Sequence, residues 1–164
     1  MNINNQKDKH WMSRALQLAN NAKINGEVPV GAVLVLKNNI IGEGWNCSIT
    51  HCDPTAHAEI IALRQGSKNI KNYRLLDSVM YVTIEPCIMC AGAMIHARIK
   101  RLVFANYSKK TGAVGSFINI LRYPGINHLI ILNRPLMSER ASLQLKNFFK
   151  ERRIQQKNNK INRR

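Results

Sequence analysis

Acidic residues are what this 164-residue sequence has least of for its charge: nine Asp and Glu stand against twenty-five Lys and Arg, a formal charge of +16. That imbalance points to a polyanionic partner and says nothing of fold. Long apolar runs are missing as well. No stretch reaches the ~18 apolar residues of a membrane span. Met1 to His10 is polar and mixed in charge, without the apolar centre of a signal peptide. The expectation is a cytoplasmic protein without a membrane partner. Cysteine is sparse: four residues, two of them in one short motif, do not make a secreted disulfide framework. The balance, 45% hydrophobic and 21% charged, is ordinary for one globular domain with a real core.

The two clustered cysteines sit in Glu85-Pro86-Cys87-Ile88-Met89-Cys90, between a β-like run from Val79 to Ile84 and a small-residue helix from Ala91. Thiols three residues apart on a first helical turn face the same way. The free N–H groups and positive dipole end of that turn favour thiolate, and Pro86 stands where a missing N–H costs least. This is half of a soft metal site, although a lone C-x-x-C also suits a redox pair or two buried thiols. The other half is His57-Ala58-Glu59, inside a helix entered through Asp53-Pro54-Thr55. His57, Cys87 and Cys90 make three ligands, and catalytic zinc takes three and leaves the fourth position to water. Residues two apart on a helix project about 200° apart, so Glu59 is poorly placed to ligate the same ion and suits a proton carrier. The rival is a closed four-ligand site completed by Cys47, His51 or Cys52, which would make an RNA-binding module without chemistry. A closed site has no use for a Glu two residues from its His. His10, His96 and His128 are assigned to no site.

Taken in order, apolar positions at helical spacing mark a helix over 9–25, stopped by Asn25-Gly26. Strands are expected over 28–36 and 40–45, turned by Lys37-Asn38-Asn39, and over 78–84, 101–105 and 128–132. Helices are expected over 56–65, 88–97 and 138–153, with a loop over 66–77. Strand, helix, strand across 78–105 requires a parallel crossover. The sum is an α/β chain: a three-layer α/β/α sandwich on a mixed five-stranded sheet, with a domain over 1–154 and a basic, flexible tail over 155–164.

His57-x-Glu59, 26 intervening residues, then Pro86-Cys87-x-x-Cys90 resembles the zinc-dependent cytidine and deoxycytidylate deaminase superfamily. The resemblance implies the cytidine-deaminase-like fold, one Zn2+ per subunit held by His57, Cys87 and Cys90, and Glu59 as the carrier that moves a proton to a ring nitrogen as ammonia leaves. Within that superfamily, Glu27-Val-Pro-Val-Gly-Ala32, Gly44-Trp45-Asn46, Asp53-Pro-Thr-Ala-His-Ala-Glu59, Glu85-Pro-Cys-x-Met-Cys-Ala-Gly-Ala-Met-Ile95 and Lys110-Thr-Gly-Ala-x-Gly-Ser116 are similar to the bacterial tRNA-specific adenosine deaminases. That likeness implies conversion of the wobble adenosine of an arginine tRNA anticodon loop to inosine, and a homodimer. It also implies contact of the flipped nucleoside with Asn46 and the Ala58 backbone, and a pocket wall of Glu27, Val28 and Pro29. Lys109-Lys110, Arg98, Lys100-Arg101 and the eight Lys and Arg from Lys146 onward, Arg152 among them, would pair with phosphates. A deaminase of free guanine or cytosine would gain nothing from them. One departure is Tyr107-Ser108, where the family commonly has Arg and Asp, and it bears on how nucleotides flanking the target are held.

Overall fold

The computed structural model describes residues 3–133 and 135–161. Its elements are helix α1 (Ile3–Ile24), strands β1 (Gly31–Leu36) and β2 (Asn39–Trp45), helix α2 (Ala58–Ile70), strand β3 (Val79–Val82), helix α3 (Ile88–Ala97), strands β4 (Arg101–Phe104) and β5 (Ile131–Leu132), and helix α4 (Ser138–Ile161). The strands form one mixed sheet in the order β2-β1-β3-β4-β5. β1 is antiparallel to both β2 and β3, whereas β3, β4 and β5 run parallel.

Side chains alternate across a strand, and here the alternation sorts the core into two layers. Ala32, Leu34, Met80, Val82, Leu102 and Phe104 point toward α2 and α3, where they meet Ile60, Leu63, Met94 and Ile95. Val33, Val35, Tyr81 and Val103 point the other way, onto Met12, Leu16 and Ala141 of α1 and α4. Both faces are covered, as a parallel sheet requires. The β1–β2 turn is Lys37-Asn38, both at positive φ (48° and 62°), the combination that matches strand twist in a two-residue hairpin.

Several boundaries differ from the expectation. α2 continues through Gly66 to Ile70 because Gly66 lies against Leu34, where a Cβ would overlap the leucine methyl. Burial outweighs the weak helix propensity of glycine. β5 is two residues long where five were expected. α4 runs past 153 to Ile161, so the segment expected as a flexible tail is helical over 155–161, and 162–164 lie outside the described residues. α4 lies alongside α1 in the same direction: Gln144 donates to Leu16 O, Lys23 pairs with Glu151, and Arg152 donates to Gly26 O at 2.7 Å.

Arg101 also has a different place from the one its charge suggested. It holds Asp8 of α1 through two bonds of 2.9 and 2.7 Å, while Tyr81 donates its hydroxyl to the same carboxylate at 2.7 Å. This cluster clamps the start of α1 onto β3 and β4. Burial raises the Asp8 pKa, but hydrogen bonds from Arg101 and Tyr81 outweigh it, and the net shift is downward. A depressed folded pKa contributes stability above the unfolded value and loses it as pH falls through the folded one. Asp8→Asn should therefore cost about 2–4 kcal/mol at pH 7 by leaving Arg101 without its anion. In denaturant titrations the gap between parent and variant should narrow on acidification below about pH 4.

Candidate active site

α2 can begin where it does only because β2 lets it approach. A Cβ at Gly44 would overlap Ala58 O, and one at Gly42 would overlap Ala62 O, so two strand glycines seat the first turns of α2 directly on the sheet. On the other side, β3 ends at Val82 and the chain turns through Glu85-Pro86 into α3. The starts of the two helices converge at the carboxyl ends of β3 and β4, the end at which open α/β sheets place their ligands.

His57 and Cys87 occupy equivalent positions: each is the N-cap of its helix, with extended backbone (φ −77°, ψ 153° and φ −74°, ψ 174°), and neither side chain caps its own helix. Both are thus free to face one another. His57 Nδ1 lies 3.6 Å from Cys87 Sγ and 3.5 Å from Cys90 Sγ. Nitrogen and sulfur ligands about 2.1 and 2.3 Å from one tetrahedral ion stand about 3.6 Å apart, so both nitrogen–sulfur separations fit a zinc site. Among the described residues no other three His, Cys, Asp or Glu side chains come close enough together to hold a metal ion. The rival ligands stand apart: Cys47 is buried and donates to Trp45 O, and Cys52 is exposed at the loop surface.

The electrostatics suit a cation. A hydrogen bond from Cys90 is the chief cause drawing the Cys87 thiol down to about 4, with His57 assisting against burial. The Cys90 thiol is pushed up in turn by Cys87 and by burial, so the pair shares one proton that a metal would displace. The Cys87 hydrogen bond raises His57. Two helix N-termini add positive potential. Zinc bound by these side chains would supply a Lewis acid that lowers the pKa of a water toward ~7.

A cleft of about 150 Å³ opens beside this group, lined by Asn46, His57, Glu59, Glu85, Cys87, Ser108 and Thr111 together with Val30 and Ile84. Glu59 is buried within it, and desolvation pushes its carboxyl up to about 7. Glu59 and His57 share the cleft although they are two residues apart. The helical projection that would separate them does not apply, because His57 precedes the helix rather than lying inside it. Asn46 Oδ1 accepts the Ala58 N–H at 3.0 Å, capping α2 from outside, so that backbone donor is already engaged.

The other expected contacts are placed differently. Glu27 is buried away from the cleft lining and accepts the N–H and hydroxyl of Thr50 at 2.7 and 2.8 Å, tying down the 46–55 loop. Pro29 is buried, while Val28 and Arg152 line a neighbouring groove of about 410 Å³ with Ile49, Phe148 and Phe149. Arg152 lies over the Phe148 ring, 5.5 Å from its centroid. Lys109 and Lys110 are exposed, between the cleft residues Ser108 and Thr111. Arg98, Lys100 and Arg101 sit at the amino end of β4, away from the cleft. Sequence reasoning gave Glu85 no role, yet it is a buried carboxylate at the cleft. Its only signal was an acid placed directly before Pro86-Cys87.

Zinc content separates these assignments. Cys87→Ala should lose the metal by atomic absorption, Glu59→Gln should keep one ion per chain, and the double change Cys47→Ser with Cys52→Ser should keep it too. Zinc loss in the double variant would restore the closed-site reading.

Comparisons with known proteins agree with this geometry. The family model described as the cytidine and deoxycytidylate deaminase zinc-binding region matches residues 5–106, which contain all three ligand positions. The chain is 53% identical over 156 residues to the tRNA-specific adenosine deaminase of Haemophilus influenzae, covering 94% of this chain and 90% of that protein. To the protein of the same name from Buchnera aphidicola of Schizaphis graminum it is 49% identical over 156 residues, covering 93% and 100%. A solved structure from work on A-to-I editing by tRNA deaminases at the wobble position superposes with a TM-score of 0.81 at 37% identity, over 84% of this chain and 99% of that one. The chain belongs to the zinc-binding cytidine and deoxycytidylate deaminase family and, within it, to the tRNA-specific adenosine deaminases.

Proposed function

We propose that the protein hydrolytically deaminates the wobble adenosine of a tRNA anticodon loop, an arginine tRNA by its resemblance, to inosine and ammonia. The observation that carries this reading is agreement over nine-tenths of the chain with relatives named for that class of substrate, joined to a metal-ligand triad that shares its cleft with a buried carboxylate.

The residues divide the work. His57, Cys87 and Cys90 hold zinc. Glu59, dry and beside the triad, takes a proton from water and delivers it to the purine ring nitrogen, a transfer that needs a positioned group within hydrogen-bond reach of both. Asn46, fixed through its oxygen to Ala58, turns its amide nitrogen to the base. A nucleoside in a duplex cannot reach such a cleft, so a single-stranded loop with a flipped base is the fitting substrate. Lys110 and Arg152 take backbone phosphates, while Glu27, Val28 and Pro29 hold the wall behind the 46–55 loop. No described helix is long and apolar enough to cross a membrane. The tRNA substrate proposed here supports a cytoplasmic enzyme. A homodimer fits α3, where Ile88 is exposed and the Cβ direction of Gly92 is open.

The direct test incubates zinc-loaded protein with an anticodon stem-loop bearing a wobble adenosine and scores inosine. The parent should convert it, and Glu59→Gln should bind the RNA with similar affinity but produce no inosine. Conversion of free guanine or cytosine without action on RNA would replace this reading by a small-molecule one. A chain shortened after Ile154 loses Lys157, Lys160, Arg163 and Arg164. At about 0.7 per phosphate contact, the slope of log affinity against log salt should fall by up to roughly 3. The base that is deaminated should not change, because phosphate contacts carry no base information.

A further inference from the structure

Glu85 is fully engaged and takes no part in the proton transfer described above. Its Oε1 accepts the N–H groups of Val114 and Ser116 at 3.1 and 3.0 Å, and its Oε2 accepts the Ser108 N–H at 3.0 Å together with the Ser116 hydroxyl. A carboxylate has about four lone-pair sites, and four donors from the protein fill them, so none is left to face a substrate. All four donors come from one segment, 108–116, which wraps the side chain so closely that a Cβ at Gly112 would overlap the carboxyl carbon. The same segment is bonded at its base: Glu85 N–H donates to Asn106 O, and Ala113 N–H donates to Pro86 O, at 2.7 and 2.8 Å.

We propose that Glu85 is a positioning residue for substrate binding: its carboxylate is the anion on which the 108–116 loop is folded, and it sets that loop in register with the metal triad. The register follows from the chain itself, since Glu85 stands two residues before the ligand Cys87 and shares its rigid Pro86 connection. What the loop presents is substrate-facing. Ser108 and Thr111 line the cleft and bond to each other at 2.9 Å, and Lys109 and Lys110 stand exposed between them. Pinning Ser108 therefore fixes one wall of the cleft and the stretch of chain that carries two exposed cations. An amide could not substitute, because it offers one oxygen and two donors of its own; Gln at 85 would face at least one N–H of the loop with another N–H. The inference rests on the reading that an RNA loop enters this cleft.

The test is steady-state deamination of the anticodon stem-loop by zinc-loaded Glu85→Gln, Ser116→Ala and Gly112→Ala. For Glu85→Gln, zinc content should be retained, KM should rise roughly tenfold and kcat should stay within about threefold, the split expected when binding rather than chemistry is lost. Ser116→Ala, which removes one donor of four, should shift KM in the same direction by less. Gly112→Ala should match Glu85→Gln with the carboxylate intact. Trypsin should cut faster after Lys109 and Lys110 in each variant. A fall in kcat at unchanged KM would make Glu85 part of the chemistry and overturn the proposal, as would unchanged KM and unchanged cleavage. If Glu85→Gln loses zinc or fails to fold, the other two variants decide by the same criteria. A parent that forms no inosine would remove the RNA reading, yet accelerated cleavage would still show the loop to depend on Glu85, and unaltered cleavage would overturn that as well.

Discussion

His57 Nδ1 stands 3.6 and 3.5 Å from two sulfurs some thirty residues further along the chain, and the fold works to keep that separation. Neither helix start could hold a dication alone. Each carries the partial positive charge of a helix N-terminus, which favours thiolate but offers too few ligands. Bringing the two starts together requires α2 to lie against the sheet at the closeness that Gly42 and Gly44 permit. It also requires β1 between β2 and β3, so that the strand leading to Asn46 and the strand leading to Cys87 end on the same side. The clamp of Arg101 on Asp8 and Tyr81 serves the same end from the opposite side of the sheet, fixing α1 across β3 and β4.

Two buried carboxylates stand beside the metal ligands, and their surroundings give them different work. Glu59 is desolvated, and its environment raises its proton affinity; it suits transfer. Glu85 accepts three backbone N–H groups and a hydroxyl from the 108–116 segment, so it suits architecture. The division is a matter of partners rather than of burial, since both side chains are 2–3% exposed. A substrate would then meet a floor fixed by the metal ligands and a wall fixed by Glu85, both anchored on the turn from β3 into α3.

Much of this was legible in the sequence because the chemistry needs particular residue types at particular spacings. Cys87-x-x-Cys90 after a strand, with His57-x-Glu59 upstream, identified the ligand set, and the nearly continuous apolar run over 78–84 marked a strand buried on both faces. Three features were hidden for physical reasons. Gly66 reads as a helix end unless one knows that Leu34 lies against it. Arg101 reads as a free cation because its partner Asp8 is 93 residues away. Glu85 reads as an ordinary acid because its partners are backbone N–H groups, which every residue but proline possesses and no composition reveals. The 200° projection assumed His57 inside the helix, whereas it is an N-cap with extended backbone; Glu59 nonetheless lies beside the three ligand positions without joining them.

Everything in the site follows from an open three-ligand zinc position built at two helix N-termini. X-ray absorption at the zinc edge measures it without recourse to activity. The expected spectrum has two sulfur scatterers at about 2.3 Å and two nitrogen or oxygen scatterers at about 2.0–2.1 Å. Three or four sulfurs, with Cys47 or Cys52 drawn into the first coordination sphere, would mean a closed structural site and would contradict the account.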